Sequence, residues 1–201
     1  MKTIKQKITL LPVFLLAFLP LFFLVKGVSS NVRYEKEPDL SITVAPTSAY
    51  EVSYCSGSDE HKQIEFVPEH ITIPNANIDL GIVSVPLENG TWKVNTGVAN
   101  YAEGTSKVTT LGGNVGIFAH NRKNGFLGIQ DVAEGSSIEV YGNNYEATYR
   151  VSKTAIANPD QVDVFYATQD STLTLVTCDG TFSEKRYILS ADLVSIKEKC
   201  N

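Results

Sequence analysis

Short β-prone runs separated by turn residues are the feature that most constrains how this chain folds. Eight runs of apolar and β-branched residues follow one another at close intervals, with glycine, asparagine and proline between them. They are 70–73, 80–85, 91–95, 115–119, 137–141, 145–152, 172–178 and 186–196. Such spacing, with turn signals between the runs, predicts an all-β barrel or sandwich.

Helical signals are few and short. The segment 126–132 is predicted to form one or two helical turns. The segment 159–167 is predicted to form another, because it begins with proline, which is favoured at the first helical position. The stretch between the strands 145–152 and 172–178 is the longest irregular part of the predicted domain. Long loops beside strand ends commonly carry binding residues, so this loop is a candidate for substrate recognition.

Three side chains that can support acyl transfer lie at predicted strand ends. Cys178 ends the run 172–178, and period-two alternation places it on the face opposite Leu173 and Leu175. Residues 179–183 are predicted to form a turn, so Arg186 would stand beside Cys178 in a hairpin. His120 closes another run and is the candidate base. A thiolate that attacks a carbonyl, an imidazole that moves protons and a cation that stabilises the oxyanion make a nucleophilic site.

Each of these residues also has a structural interpretation. Cys178 could be an inert core thiol, and His120 a buried structural histidine. Arg186 could form a surface ion pair with Asp179 or Glu184.

Other polar residues near these strand ends are secondary candidates. Thr177 is a candidate for placing the substrate carbonyl, through its hydroxyl or its backbone, although β propensity alone explains a threonine here. Asn114, Asn121 and Asp131 are candidates to orient His120. No Cys-x-x-Cys or His-x-x-x-His spacing occurs, so the sequence predicts no metal site.

The motif Thr-Leu-Val-Thr-Cys at 174–178 resembles the Thr-Leu-x-Thr-Cys signature of the sortases, cysteine transpeptidases of the Gram-positive cell surface. Arg186 matches the arginine that follows this signature, and 113–120 resembles the stretch that ends in the family's histidine. The resemblance extends over 70–194 and implies one closed or nearly closed β-barrel of about eight strands with one or two short helices. Ala119 and Asn121 flank His120 where the family usually has glycine and often arginine, a departure that leaves the subclass open. The expected subclass is D-, E- or F-like rather than clearly A, B or C.

The resemblance implies both an activity and a site. Cys178, His120 and Arg186 would be catalytic, Thr177 would contact substrate, and no organic cofactor would be needed. The enzyme would cleave a Leu-Pro-x-Thr-Gly-like sorting signal near the carboxyl end of a secreted protein through a thioester on Cys178. A peptidoglycan or pilin amine would accept the acyl group. Two alternatives are a non-catalytic cell-surface binding module and a cysteine peptidase that releases the thioester to water.

The amino-terminal segment predicts export. Residues 8–25 are apolar except for Thr9 and follow Lys2, Lys5 and Lys7, so the segment would enter a membrane with its amino end inside. It is either a single-pass signal anchor within 1–28 or a signal peptide cleaved near 28–30. Residues 29–63 would be a stalk and 64–201 an extracytoplasmic catalytic domain. A net charge of -5 and a pI near 5.2 argue against nucleic acid as a partner.

The chain has three cysteines, an odd number for an exported protein. Cys55 and Cys200 either form a disulfide, which leaves Cys178 reduced, or are both free. The sequence leaves these alternatives open because disulfide connectivity depends on the fold.

Overall fold

The structure is a computed structural model, and it describes residues 50–59, 62–180 and 184–200. Strands dominate these ranges: β1 (Glu51–Ser53), β2 (Glu65–Phe66), β3 (His70–Ile73), β4 (Ile78–Val85), β5 (Leu87–Glu88), β6 (Thr91–Trp92), β7 (Ala99–Ala102), β8 (Val108–Thr109), β9 (Gly113–Phe118), β10 (Ser137–Gly142), β11 (Tyr145–Ala157), β12 (Ser171–Asp179) and β13 (Lys185–Glu198). Short 3-10 helices lie at Pro74–Ala76, Ile129–Asp131 and Asp163–Phe165. None of the helices in the described ranges is long and apolar enough to cross a membrane, and the predicted membrane segment 8–25 lies outside those ranges.

Eight of the strands close into a barrel. Their order around the ring is β13, β11, β10, β3, β4, β7, β9 and β12, and β12 pairs again with β13. The pairs β4–β7 and β9–β12 are parallel, and the other neighbours in the ring are antiparallel. This topology confirms the predicted all-β fold and its closed barrel.

Apolar side chains pack on both faces of the barrel wall near the ends of β9 and β12. Inward-pointing residues such as Ile117, Leu173 and Leu175 are fully buried in the main core. Their sequence neighbours point outward and form a second, smaller cluster that contains Phe118, Val176 and Ile188. The strand ends that carry the candidate site are therefore held by apolar packing on both sides.

One barrel strand was missed by the sequence prediction. The run 91–95 was expected to be a strand of the barrel, but only Thr91–Trp92 is extended, in a hairpin with Leu87–Glu88. The eighth barrel strand is Ala99–Ala102 instead. It contains a fully buried asparagine, Asn100, whose amide donates to the Phe118 carbonyl at 3.1 Å. The remaining seven predicted runs each overlap a barrel strand.

Each of the two segments predicted to form short helical turns contains one 3-10 turn. Within 126–132 only Ile129–Asp131 is helical, and within 159–167 only Asp163–Phe165. Both are single 3-10 turns, which suits connections that must follow the barrel surface closely.

A disulfide joins the two ends of the described chain. Cys55 and Cys200 are bonded, with their Cα atoms 5.5 Å apart, and Cys178 is the free cysteine. The Cys55 amide also donates to the Glu198 carboxylate at 3.0 Å, and hydrogen bonds from Ser58 and Cys55 hold the pKa of Glu198 below its usual value. Of the two alternatives for the cysteines, the structure selects pairing.

Part of the predicted stalk is structured. Glu51–Ser53 pairs in parallel with the end of β13, and the Tyr50 hydroxyl donates to the Thr110 carbonyl at 2.8 Å. These contacts lay a short strand against the barrel before residue 63. The domain limits 1–28, 29–63 and 64–201 stay predictions.

Replacing both Cys55 and Cys200 with serine should destabilise the protein. The bond closes a loop of 145 residues, so its loss should lower the free energy of unfolding by about 2 to 5 kcal/mol, chiefly by freeing the unfolded chain. Urea denaturation with and without dithiothreitol measures this effect. Wild type should lose stability on reduction while the double variant does not respond, and equal stability of the two proteins would refute the prediction.

Candidate active site

The hairpin of β12 and β13 places a thiol opposite a guanidinium. Cys178 and Arg186 are directly opposed in the antiparallel register, a position in which Cβ atoms lie about 5 Å apart. Both side chains are half-buried, and the Arg186 guanidinium donates to the Lys185 carbonyl at 3.0 Å. The two residues are thus cross-strand neighbours, as the predicted hairpin requires.

The parallel pair β9–β12 brings the histidine to the same edge. Its register ends at Val176 opposite Phe118, and the Ala119 amide continues the ladder by donating to the Val176 carbonyl at 3.1 Å. His120 and Cys178 are each two residues beyond that last pair. Because parallel strands end at the same edge of a sheet, the imidazole and the thiol emerge on one rim of the barrel.

His120, Cys178 and Arg186 line one groove with a volume of about 290 Å³. Its walls are mainly apolar and come from two segments outside the barrel. The β5–β6 hairpin and the residue that closely follows it contribute Trp92 and Val94, and the loop 158–170 contributes Val162, Val164 and Phe165. The three polar side chains therefore lie in a groove whose other walls are largely hydrophobic.

The loop 158–170 is anchored to the first residues of β9. The buried Asn114 amide donates to the carbonyls of Val164 and Tyr166 at 2.9 and 3.2 Å. The Gly116 position leaves room for the Phe165 ring, because a Cβ there would lie 2.7 Å from that ring. The Asn114 amide thus anchors the loop, and both of its hydrogen bonds go to the loop rather than to His120.

Two aromatic contacts join the walls of the groove. The Trp92 ring meets Phe165 edge-on, with ring centroids 5.6 Å apart, and lies 6.4 Å from the Phe118 ring. Its indole N–H donates to the Glu103 carbonyl at 3.0 Å. Edge-to-face packing of this kind stabilises a defined ring orientation, so Trp92 is a fixed wall of the groove.

The surroundings of His120 favour a neutral imidazole. Burial lowers the pKa of His120 below its usual value, and the positive charge of Arg122 lowers it further. A neutral ring can accept a proton from a thiol and return it to a leaving amine.

The other candidates of the sequence analysis have different surroundings. The Thr177 side chain is buried, and its hydroxyl donates to the Ala119 carbonyl at 2.8 Å. The Asn121 amide donates to the Cys178 carbonyl at 3.1 Å. Asp131 is exposed in a 3-10 helix, and Asp179 accepts a hydrogen bond from Gln130 at 2.7 Å.

Sequence reasoning missed the groove walls. Trp92 is the only tryptophan of the chain, yet nothing near it in the sequence indicates that it faces the thiol. Val162, Val164 and Phe165 lie in the loop that was a candidate for recognition, but their individual positions depend on the anchoring by Asn114. The sequence signal that could have identified these three residues is that they are apolar and clustered in an otherwise polar loop.

The fold and the groove together define a class of protein. A closed β-barrel presents a free thiol, an imidazole and a guanidinium on one rim, in a groove with largely apolar walls. Residues 71–194 match the family model of the sortase domain. The chain belongs to the sortase family, whose members are cysteine transpeptidases.

Known relatives agree with this assignment. Sortase A of Bacillus anthracis is 30% identical, with 70% of this chain and 77% of that protein covered. The structure of sortase A from Listeria monocytogenes matches with a TM-score of 0.56 at 24% identity, over 69% of this chain and 92% of that one. Sortase E1 of Streptomyces coelicolor, solved with a tripeptide in its active site, matches with a TM-score of 0.57 at 21% identity, over 67% and 90%. At these identities the two structures show the shared fold, and the subclass of this chain stays a prediction.

Replacing Arg122 with glutamine should raise the pKa of His120. The substitution removes the positive charge that disfavours the imidazolium, while burial, the larger cause, keeps the pKa below its ordinary value. Titration of the histidine ring protons by NMR measures the shift. Lys123→Gln, in the same loop, should leave the His120 titration unchanged, and an unaltered or lowered pKa in Arg122→Gln would contradict the prediction.

Proposed function

We propose that this protein is a sortase that cleaves a Leu-Pro-x-Thr-Gly-like sorting signal and transfers the acyl part to an amine. The observation that carries the proposal is the convergence of Cys178, His120 and Arg186 on one groove. Cys178 and Arg186 come from consecutive strands, whereas His120 follows a strand more than fifty residues earlier in the sequence. A barrel core alone does not require a thiol, an imidazole and a guanidinium to share a rim.

The proposed reaction has two acyl-transfer steps. The Cys178 sulfur attacks the carbonyl carbon of the Thr-Gly-type bond, and the thiol proton passes to His120. The Arg186 guanidinium donates to the oxyanion that forms. His120 then protonates the departing amine as the C–N bond breaks, which leaves a thioester on Cys178. An acceptor amine attacks the thioester, loses a proton to His120 and expels the thiolate as the new amide forms.

The apolar walls of the groove support a peptide substrate with apolar residues on the amino-terminal side of the cleaved bond. Trp92, Val94, Val162 and Phe165 form walls that can take branched or cyclic aliphatic side chains such as leucine and proline. The bound tripeptide in the active site of the Streptomyces coelicolor sortase E1 supports a peptide in the corresponding groove.

In this proposal Thr177 contributes its backbone and not its hydroxyl. Its hydroxyl is occupied by the Ala119 carbonyl inside the barrel, which leaves the backbone of Thr177 as the portion that lines the groove. We assign it to substrate placement through that backbone, next to the nucleophile.

The proposed partners and location follow from the family and from the amino-terminal segment. Secreted proteins with a carboxyl-terminal sorting signal would be the donors, and a peptidoglycan precursor or a pilin would supply the amine. The segment 8–25 would anchor the protein in the cell membrane as a single pass, with residues 64–201 outside as the catalytic domain. No cofactor enters the proposed chemistry.

Two other functions remain as alternatives. A cysteine peptidase would release the same thioester to water, and a non-catalytic surface module would bind a partner through the same groove. The thiol, imidazole and guanidinium on one rim favour an enzyme over the binding module.

Activity toward sorting-signal peptides should depend on Cys178. A fluorogenic peptide library based on Leu-Pro-x-Thr-Gly, incubated with and without an added amine, should give cleavage and an amine-linked product. Cys178→Ala should lower turnover by more than about 10³-fold, because the covalent step is lost. Mass spectrometry of the products separates the alternatives: hydrolysis without transfer indicates the peptidase, and no turnover of any peptide indicates the binding module. Turnover that survives Cys178→Ala would sink the mechanism.

Shortening the aromatic wall should weaken substrate binding. Trp92→Ala removes the ring that packs on Phe165 in the groove, and losing apolar contact of this kind should raise KM by about tenfold with little change in kcat. Lys93→Ala is the matched control, since Lys93 is exposed and adjacent to Trp92. Steady-state kinetics with the preferred peptide measure both constants. A KM for Trp92→Ala equal to that of the control would show that this wall does not touch substrate.

A further inference from the structure

Side-chain hydrogen bonds link the ends of β9 and β12 beyond the point where their ladder stops. The last backbone bond between them joins Ala119 to Val176. Further on, the Thr177 hydroxyl donates to the Ala119 carbonyl at 2.8 Å, and the Asn121 amide donates to the Cys178 carbonyl at 3.1 Å. In the first bond the β12 strand supplies the donor, and in the second the segment after β9 supplies it. The two residues of that segment that take part, Ala119 and Asn121, lie directly before and after His120 in the sequence.

The backbone carbonyl of His120 is engaged by its own loop. It accepts hydrogen bonds from the amides of Arg122 at 2.9 Å and Phe126 at 2.8 Å. Phe126 is fully buried in the core, and any Cβ at Gly125 would overlap the His120 carbonyl oxygen. The loop 121–126 therefore folds tightly around His120, and the link from this loop to the nucleophile strand passes through Asn121.

The Cys178 carbonyl lies beyond the end of the β9–β12 pairing. Cys178 lies two residues beyond the last β9–β12 pair, so β9 no longer supports it, and the neighbour on its other side is β13. The Asn121 amide restores the missing contact on the histidine side. Asn121 is half-buried, which partly shields this bond from water.

We propose that Asn121 is a positioning residue for acyl transfer, which holds the backbone of Cys178 in register with His120 through its amide hydrogen bond. The inference rests on the proposed roles of these two residues. Proton transfer between sulfur and imidazole requires a defined separation, and a displacement of about 1 Å can cost a catalytic site up to about 10²-fold in rate. Asn121 does not touch substrate in this role; it acts through the nucleophile's main chain.

The test compares Asn121→Asp and Asn121→Ala with the control Lys123→Ala. Aspartate has nearly the same size as asparagine, but its carboxylate cannot donate to the Cys178 carbonyl. Lys123 is exposed in the same loop. Two measurements are made on each protein: kcat and KM with a sorting-signal peptide, and the rate of Cys178 alkylation by iodoacetamide as a function of pH.

The alkylation profile reports on the thiol without any substrate. The charged and titratable groups that flank Cys178 include His120 and Arg122 on the β9 side, and Asp179, Glu184, Lys185 and Arg186 on β12, on β13 and between them. His120→Ala supplies the reference profile of a thiol that has lost its imidazole. The disulfide cysteines do not react, because they are bonded to each other.

In both Asn121 variants we expect kcat to fall by about 10- to 100-fold with KM within about twofold of wild type. Their alkylation profiles should move toward that of His120→Ala, while Lys123→Ala should match wild type in both measurements. A role limited to stability would lower the melting temperature and leave the alkylation profile of the folded protein unchanged.

Three results would overturn the inference. They are wild-type kinetics and alkylation in both variants, a fall in kcat with an unaltered alkylation profile, and an alkylation profile that does not respond even to His120→Ala. Absence of peptide turnover in wild type would instead refute the proposed function, and the alkylation measurement would still decide the role of Asn121.

Discussion

The parallel pairing of β9 with β12 is the constraint on which the site depends. It brings together two segments that are more than fifty residues apart and ends both at the same rim, with Val176 opposite Phe118 as the last pair. The antiparallel pairing of β12 with β13 then adds Arg186 from the other side. A strand flanked by one parallel and one antiparallel neighbour thus receives an imidazole from one and a guanidinium from the other.

Apolar packing on the outside of the barrel forms the walls of the groove. The outward-facing side chains of β9, β12 and β13 form a small apolar cluster, and Trp92, Val164 and Phe165 cover it. The same contacts that exclude water from this cluster build the walls of the groove. Stability and recognition therefore share residues here, and the loop 158–170 can be well positioned although it contains only one short helical turn.

Much of this arrangement could be predicted from the sequence because it follows from local patterns. Alternation in 145–152 and 172–178 identifies β11 and β12. The turn predicted at 179–183, of which 181–183 lie outside the described residues, implies that Cys178 and Arg186 are cross-strand neighbours. The strand Ala99–Ala102 could not be predicted in this way, since alanine and asparagine have low β propensity and all four of its residues are buried. Asn100 is tolerated there only because Phe118 and Asn95 provide its partners.

The finer features of the site depend on tertiary contacts and left no local signal. The hydroxyl of Thr177 turns inward to Ala119, the amide of Asn121 reaches across to β12, and Asn114 holds a loop some fifty residues away in sequence. The pairing of the cysteines also depends on tertiary structure, because the pairing of β1 with β13 places Cys55 near Cys200.

The position of the disulfide also has a mechanical consequence. Cys55 and Cys200 close the far end of β13, whereas Arg186 stands near its beginning, about 40 Å away along the strand at roughly 3.3 Å per residue. A pull on the chain ahead of Tyr50 would therefore first reach a covalent bond and the β1–β13 pairing, at the end of β13 far from Arg186. Arg186 and the thiol opposite it lie toward the other end of that strand.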